Sequence, residues 1–316
     1  MSLIISLTKI FMKLIIRNSN RCLYIIKSKI RGFVCRRNFL QKNYLKLKEI
    51  VMKNNCGVPS YENPLFSKIF IETVSYCNND CAFCPASVEA GAKNPENLMP
   101  ESLYLKILNE LASICFTGSI AFHCNNEPLL DPRLPSWIKM ARSLLKNNFF
   151  YLYTNGILIN VDLANELFAS GLNRIIINNY NDQHKLNSSI RNLLDNSAVL
   201  RGEVIINYRA KTDYFGNRAG QSPNAPAFLK KPLKIQCLRP STEIVIGYDG
   251  SVPLCCADGL WRVVMGNVKN SSLKDIWFSD FFKRVRGALA KGDRDCAEIC
   301  RVCDALNFPA PKGIRE

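Results

Sequence analysis

The stretch IFIETVSYCNNDCAFCP, residues 69–85, joins an apolar strand pattern to three closely spaced cysteines. Three residues separate Cys77 from Cys81, and two separate Cys81 from Cys84. Three thiolates on one loop can hold three corners of a cubane iron–sulfur cluster, which normally takes four cysteines, so one iron is left open. A zinc knuckle and buried structural thiols are the alternatives. Zinc sites typically use CxxC pairs or Cys/His sets, and the chain has only two histidines.

Strand and helix patterns alternate from this loop onward. The predicted strands are 69–74, 119–124, 149–154, 174–179 and 202–208, and the predicted helices are 101–114, 131–146, 162–169 and 183–195. Repeated βα units predict a parallel sheet covered by helices. We therefore predict an α/β fold, a partial (β/α)6 TIM-like barrel, with its chemistry on the loops that follow the carboxyl ends of the strands.

The pattern changes after the fifth predicted strand, where glycine, asparagine and proline replace regular periodicity. We predict three regions: a basic leader at 1–56, the barrel at 57–230 and a small cluster-binding module at 231–316. In that module TEIVIGYDGSVPLCC, residues 242–256, predicts a β-hairpin around a central Asp-Gly turn. Residues 272–289 predict one amphipathic helix.

The leader holds most of the positive charge. The 316 residues have a net charge of +16, and residues 1–56 contribute thirteen basic residues and one acid, a net +12. Residues 2–21 follow the pattern of a basic amphipathic helix, interrupted too often by lysine to span a membrane. We expect peripheral contact of residues 1–40 with an anionic membrane. A solvated or core-packed helix and a translation start at Met52 are the alternatives. The remaining +4 gives little reason to expect nucleic acid as a partner.

The three-cysteine loop resembles the signature of radical S-adenosylmethionine (radical SAM) enzymes, and the resemblance extends over about residues 68–305. It implies that Cys77, Cys81 and Cys84 hold a catalytic 4Fe–4S cluster. The open iron would be chelated by the amino and carboxylate groups of S-adenosylmethionine. The resemblance also implies that Phe83, the aromatic residue before the third cysteine, lies against the adenine.

Polar residues at the ends of later strands match positions where this family contacts S-adenosylmethionine. Cys124-Asn125-Asn126-Glu127-Pro128 is similar to the family's Gly-Gly-Glu-Pro segment, which meets the amino group, but has asparagine in place of both glycines. Asparagine tolerates left-handed backbone better than most residues. The cofactor contacts implied by the resemblance are therefore Glu127, Asn155, Asn178, Asn207 and Arg209, the last toward the carboxylate. For each of them, an ordinary turn-forming role is the alternative.

A second set of cysteines lies near the end of the chain. Successive members Cys237, Cys255, Cys300 and Cys303 are separated by 17, 44 and 2 residues. This set resembles the short SPASM, or twitch, module, which implies one auxiliary 4Fe–4S cluster. Cys256 and Cys296 are the spare cysteines, and either could replace a neighbour. A structural zinc site is the alternative.

The resemblance implies a reaction in which S-adenosylmethionine is cleaved to methionine and a 5′-deoxyadenosyl radical, which removes hydrogen from a substrate C–H bond. With an auxiliary cluster to accept an electron, the chain resembles radical SAM dehydrogenases that oxidise a secondary alcohol of an aminocyclitol or sugar. Arg218 is the candidate for contacting the substrate hydroxyl, and a structural arginine is the alternative. His123 is a weaker candidate for proton transfer, with a packed histidine as its alternative.

These expectations place the chain in a reducing compartment, the cytoplasm, with a flavodoxin or ferredoxin as electron donor. A peptide-modifying radical SAM maturase is the alternative among enzymes. A non-catalytic iron–sulfur electron-transfer protein is the alternative of another class, and it predicts clusters without cleavage of S-adenosylmethionine. Nucleic-acid modification ranks last because the barrel carries little of the charge.

Overall fold

A computed structural model describes eight stretches of the chain, which all belong to one compact unit. They are residues 65–87, 94–181, 183, 185–196, 200, 202–225, 229 and 231–305. The predicted leader at 1–56, with its helix over 2–21 and its membrane contact through 1–40, lies outside them. In the part of the chain that is described, no helix is long and apolar enough to cross a membrane.

Six strands form the main sheet, and every neighbouring pair is parallel, in the order β5-β4-β3-β2-β1-β6. The strands are β1 Lys68–Ile71, β2 Ser119–Ala121, β3 Phe150–Thr154, β4 Arg174–Tyr180, β5 Glu203–Arg209 and β6 Glu243–Ile246. β4, with the sequence RIIINNY, has the pattern typical of a strand in a parallel sheet. Its central isoleucines are buried, as in strands covered on both faces. The predicted α/β fold is confirmed.

Helices follow the first four strands in turn. They are α1 Glu101–Ser113, α2 Leu134–Leu144, α3 Val161–Ala169 and α4 Ser188–Asp195. Asparagine begins two of them: Asn160 Oδ1 accepts from the Leu163 N–H at 2.8 Å, and Asn187 Oδ1 accepts from the Ile190 N–H at 2.7 Å. The apolar faces of these helices pack on the sheet in one core. The helices therefore cover the sheet, and loops follow the carboxyl ends of its strands.

The predicted β-hairpin over 242–256 is wrong in its pairing. Its first half, β6, pairs in parallel with β1 and completes the barrel sheet. Its second half, β7 Ser251–Pro253, pairs antiparallel with β8 Val264–Asn267. The Asp-Gly turn is present, with Gly250 at φ +85°, but the sequence EIVI of β6 is almost wholly buried and suits a covered sheet better than a surface hairpin. The boundary predicted between 230 and 231 thus falls ahead of a strand of the barrel.

The single helix predicted over 272–289 is two helices, α6 Leu273–Phe278 and α7 Asp280–Ala290. Ser279 separates them in an extended conformation, and its Oγ accepts from the Phe282 N–H at 3.3 Å. A serine hydroxyl competes with the backbone for hydrogen bonds and therefore starts helices better than it continues them. Two short helices, α5 Arg239–Thr242 and α8 Glu298–Val302, complete the C-terminal part.

Candidate active site

The three-cysteine loop follows β1 at the carboxyl edge of the sheet. Cys81 is buried, while Cys77 and Cys84 are half-buried. The Cys84 N–H donates to the Cys81 carbonyl at 3.0 Å, which closes a turn around the CxxC pair. The Ala82 N–H donates to the Lys211 carbonyl at 3.1 Å, so the loop is tied to the segment that follows β5. The loop therefore holds all three thiols at one end of the barrel.

Burial and mutual proximity control the protonation of these thiols. Burial, together with negative charge on Cys84, raises the pKa of Cys77 to about 11 and that of Cys81 to about 12. Cys77 also acts on Cys81, so the sulfurs lie within electrostatic reach of one another. Such thiols lose their protons when they bind a metal.

The donor set fits an iron–sulfur cluster. All three cysteines are free thiols. Among the described residues, no three His, Cys, Asp or Glu side chains are grouped so that they could hold a single metal ion. Each cysteine of a cubane cluster binds a different iron, so its ligands stand farther apart than those of one zinc ion. Three free thiols on one loop, within electrostatic reach of one another, are soft donors of the kind that an iron–sulfur cluster takes.

An aromatic and polar surface borders this loop. The Phe83 ring lies 5.5 Å from the ring of Tyr180 and 4.5 Å from that of Phe215, centroid to centroid. Asn155 Nδ2 donates to Asn78 Oδ1 at 2.7 Å and lies 3.8 Å from Cys77 Sγ. The structure therefore brings Asn155, which follows β3, to the cysteine loop that contains Phe83.

The ends of β4 and β5 carry a connected polar group. Asn178 and Asn207 are paired in register, and Asn178 Oδ1 accepts from Asn207 Nδ2 at 3.1 Å and from Arg209 Nε at 3.0 Å. The Arg209 guanidinium lies over the Phe215 ring, 4.4 Å from its centroid, and burial lowers its pKa to about 10. Because Phe215 also touches Phe83, these three polar residues share one surface with the aromatic residue of the cysteine loop.

Glu127 is engaged by the protein itself. Its buried carboxylate accepts from the Leu129 N–H at 3.1 Å, from Thr154 Oγ1 at 2.7 Å and from the Asn155 N–H at 2.7 Å. Burial raises its pKa to about 7, although these donors oppose the rise. The carboxylate thus begins the short 3-10 turn Pro128–Leu130 and fixes the end of β3. A contact between this side chain and the cofactor stays a prediction.

A cavity of about 300 Å³ opens beside the ends of β1 and β2. Its walls include two carboxylates, polar side chains and an aromatic ring, which are Glu72, Ser75, Asn97, Asn125, Asp249 and Trp261. Glu72 is 2% exposed, and its Oε1 accepts from the Asn125 N–H. Burial raises the pKa of Glu72 to about 7. Sequence reasoning missed Glu72, although it is the one acidic residue of the otherwise apolar run at 69–74.

Arg218 lies in a left-handed segment and contacts Asn125, one of the residues that line the same cavity. Arg218 and Ala219 have φ values of +49° and +56°, a conformation that is costly for residues with a Cβ. Arg218 Nη2 donates to Asn125 Oδ1, and its positive charge lowers the pKa of Glu72 against the effect of burial. The backbone is therefore strained at Arg218 and Ala219, where the guanidinium contacts the cavity wall at Asn125.

A second cavity lies in the C-terminal part and is lined by all four predicted auxiliary ligands: Cys237, Cys255, Cys300 and Cys303. All four are buried free thiols. Burial raises the pKa of Cys255 and Cys300 well above the ordinary value. The spare cysteines do not line it; Cys256 Sγ instead accepts from Arg239 Nη1 at 2.8 Å. Four soft donors around one enclosed space fit an iron–sulfur cluster.

The two cavities share a wall. Ala219 and Ala257 line the cavity of the four cysteines. Their near neighbours in the chain face the other side: Arg218 contacts Asn125 of the 300 Å³ cavity, and Gly259 lines that cavity. Consecutive Cα atoms are only 3.8 Å apart. The segments 218–219 and 257–259 therefore lie between the two spaces.

His123 is a packed histidine. It is buried among aromatic rings, and its Nδ1 accepts from the Tyr153 N–H at 3.1 Å. Burial lowers its pKa to about 3, so the ring is neutral. It lines neither cavity, and its packing role agrees with the alternative given for it from the sequence.

Known proteins share this arrangement. The family model of the radical SAM superfamily matches residues 71–178, and that of the SPASM iron–sulfur cluster-binding domain matches residues 237–304. A relative from Niallia circulans, S-adenosyl-L-methionine-dependent 2-deoxy-scyllo-inosamine dehydrogenase, is 30% identical over 244 residues, which cover 77% of this chain and 94% of the relative.

Two solved structures are also similar. The crystal structure of BtrN in complex with AdoMet and 2-DOIA has 29% sequence identity and a TM-score of 0.67, with 77% of this chain and 94% of that chain covered. Selenomethionine BtrN in an open conformation has 26% identity and a TM-score of 0.57, with 76% and 93% covered. The chain therefore belongs to the radical SAM superfamily, as an enzyme that uses S-adenosylmethionine and a 4Fe–4S cluster and carries a SPASM iron–sulfur cluster-binding domain.

Proposed function

We propose that this enzyme oxidises a secondary alcohol of a small, amine-bearing cyclitol to the ketone. The shared wall between the 300 Å³ cavity and the four-cysteine cavity carries this proposal. A cavity of that size suits a small molecule, and two carboxylates in its wall suit an ammonium group. The name of the relative from Niallia circulans, an inosamine dehydrogenase, supports the same substrate class.

We assign the catalytic cluster to Cys77, Cys81 and Cys84. We assign one auxiliary cluster to the four cysteines of the second cavity, Cys237, Cys255, Cys300 and Cys303. When bound, the catalytic cluster and S-adenosylmethionine supply the radical that removes a hydrogen atom from the substrate carbon, and the auxiliary cluster supplies an acceptor for the one remaining electron.

The surface around the cysteine loop would hold S-adenosylmethionine. Phe83 offers a ring for the adenine, and Asn155, Asn178 and Asn207 offer amide groups to the ribose and the methionine part. Arg209 offers a buried cation to the carboxylate, and its position over Phe215 fixes the guanidinium plane. Glu127 acts indirectly, because its carboxylate holds the Asn155 N–H and so positions that residue.

Ketone formation also requires that the substrate hydroxyl lose its proton. Arg218 would donate a hydrogen bond to that oxygen from the cavity wall. Glu72 faces the same cavity, and its carboxylate would accept the proton. Both groups bond Asn125, Glu72 at its N–H and Arg218 at its Oδ1, which supports a joint action on one substrate hydroxyl.

The test is an anaerobic assay of the reconstituted enzyme with 2-deoxy-scyllo-inosamine. Ketone and 5′-deoxyadenosine are expected in equal amounts, with about eight irons per chain for two cubane clusters. The deoxy-scyllo-inositol that carries a hydroxyl in place of the amine is the matched control and should react far more slowly. Oxidation of both at one rate would contradict recognition of the amine. Cleavage of S-adenosylmethionine only when a peptide is added would favour the maturase instead.

An Arg218→Lys variant is expected to oxidise the substrate about 30- to 1,000-fold more slowly, the cost of losing a well-placed charged hydrogen bond. The ammonium of lysine keeps the charge but loses the fork that reaches Asn125 Oδ1. Reductive cleavage of S-adenosylmethionine without substrate should stay at the wild-type rate. Arg284→Lys, an exposed position on α7, is the control and should leave both rates unchanged. Equal loss of both activities in the Arg218 variant would assign it a structural role.

A Glu72→Gln variant is expected to lower kcat by about 10² to 10⁴ and to flatten the pH profile. Burial raises the pKa of Glu72 to about 7, while the Asn125 N–H and Arg218 oppose the rise and Asp249 adds to it. A proton acceptor must be ionised, so kcat/KM of the wild-type enzyme should rise with pH through about 7. Glutamine retains an oxygen for the Asn125 N–H. If the Glu72→Gln variant showed the same rise of kcat/KM with pH, the titrating group would be another residue, such as Glu127.

A further inference from the structure

Arg294 is a buried cation in the C-terminal part. It is 2% exposed and is the largest of the fully buried side chains among the described residues. Its guanidinium donates to three backbone carbonyls, those of Ile235 at 3.3 Å, Cys303 at 3.1 Å and Ala305 at 2.7 Å. These bonds engage each of its three nitrogens and fix the plane of the group, but carbonyl dipoles carry no net charge.

No carboxylate in the described part of the chain pairs with Arg294. Of the acidic residues near it in the chain, Asp295 pairs with Arg301, Asp293 Oδ1 accepts from the Asp295 N–H, and Asp304 accepts from Tyr214 Oη and from the Asn217 N–H. An ionised group removed from water costs several kcal/mol when it has no counter-ion. Within the described residues, the Arg294 guanidinium is therefore a buried positive charge without a counter-ion.

The side of Arg294 that lacks a counter-ion faces the four-cysteine cavity, since Arg294 is among the residues that line it. Its Nη1 donates to the backbone carbonyl of Cys303, one of the four cysteines, so the guanidinium lies beside the proposed ligands. Cysteines bind a cluster as thiolates. A ligated cluster in this cavity is thus the anion that the buried guanidinium lacks.

We propose that Arg294 is the counter-ion of the auxiliary cluster and raises its reduction potential, which makes the cluster an effective acceptor for the substrate electron. The inference rests on the proposed function for the presence of that cluster. Reduction adds one negative charge to the cluster, and a fixed cation in a low-dielectric wall stabilises the more negative state. Arg294 is therefore a positioning and tuning residue, which never touches the substrate.

The electron count of the reaction defines this role. The substrate carbon loses a hydrogen atom to the radical derived from S-adenosylmethionine, and the hydroxyl proton passes to Glu72. One electron then remains on the substrate, and its transfer to the auxiliary cluster completes the C=O bond. The cluster is reduced by one electron as the substrate is oxidised. A higher potential at the cluster favours this last step.

Arg239 is a second cation in the cavity wall, with a weaker expected effect. Its Nη1 donates to Cys256 Sγ at 2.8 Å, and the Glu243 carboxylate acts on it electrostatically. Part of its charge is therefore offset within the protein. Arg294 has no such partner in the described residues, so its charge is available to the cluster.

The test is a redox titration followed by electron paramagnetic resonance in a Cys77→Ala/Cys81→Ala/Cys84→Ala background, in which the auxiliary cluster is the one cluster left. Arg294→Gln is expected to disfavour reduction at least tenfold, a fall of about 59 mV for one electron. Arg239→Gln should give a smaller fall. Arg301→Gln is the matched control: it follows Cys300 directly, but its side chain is 62% exposed and pairs with Asp295, so the potential should not move.

Each possible result either supports or overturns the proposed role of Arg294. An unchanged potential in an Arg294→Gln protein that retains about four irons per chain would overturn it. If glutamine prevents cluster binding, Arg294→Lys should restore both the iron and most of the potential, because lysine keeps the charge. Loss of the cluster from both variants would assign Arg294 to backbone packing and also overturn the inference. Zinc instead of iron in the background protein would contradict the proposed function itself, before any potential is measured.

Discussion

A Cys84→Ala variant is expected to form no 5′-deoxyadenosine from S-adenosylmethionine under reductant. The loop after β1 supplies three thiols that lie within electrostatic reach of one another. Loss of one thiolate from a three-cysteine site leaves two irons without protein ligands. The enzyme should therefore lose its catalytic cluster and retain about four irons per chain. Iron counting and chromatography of the nucleoside product measure both effects.

Cys115→Ala is the matched control for this variant. Cys115 is an exposed free thiol in the turn between α1 and β2, and it should retain about eight irons and full cleavage of S-adenosylmethionine. The assignment would be contradicted if Cys84→Ala still produced 5′-deoxyadenosine above a reaction without enzyme. It would also fail if the two variants lost the same amount of iron.

The sequence was sufficient for the parts of the fold that rest on periodic burial. β4 and the cysteine loop could be located because a covered strand reads as a continuous apolar run and a cluster loop requires closely spaced thiols. Which strand a given strand pairs with could not be predicted in the same way. β6 pairs with β1 across more than 170 residues of sequence, and nothing local distinguishes that pairing from a hairpin with β7. Burial of β6 on both faces is what decides it.

Local chemistry hid the break between α6 and α7. The apolar pattern continues across Ser279, so the periodicity alone favoured one helix. The serine hydroxyl changes the result, because it bonds the Phe282 N–H and starts a new helix. An N-cap depends on the orientation of one side chain, and the spacing of apolar residues gives no information on that orientation.

The candidate site was only half visible in the sequence because its residues come from distant elements. Cysteines stand out by type and spacing, but Glu72 becomes significant only when the fold places it beside Arg218 and Asp249. For Glu127, the structure adds what the sequence does not show: three protein donors bond its carboxylate, and its predicted cofactor contact stays a prediction.

A Cys303→Ala variant is expected to separate the two halves of the reaction. Cys303 lines the second cavity, and its Sγ accepts from the Ala305 N–H at 3.4 Å, so its loss removes both a ligand and an oriented sulfur. The catalytic cluster, held by a different loop, should still cleave S-adenosylmethionine. Ketone formation should fall to background because the substrate electron has no acceptor. The ratio of ketone to 5′-deoxyadenosine, near one in the wild-type enzyme, is the measurement.

Cys296→Ala is the control that makes this result specific. Cys296 is a half-buried free thiol of the same C-terminal segment but does not line the cavity, so its variant should keep both the ketone and the full iron content. Equal loss of iron in the two variants would mean that Cys296 is a ligand. A Cys303→Ala enzyme that still makes one ketone per 5′-deoxyadenosine would show that the substrate electron leaves by another route. In that case the shared wall between the cavities would have no part in the oxidation.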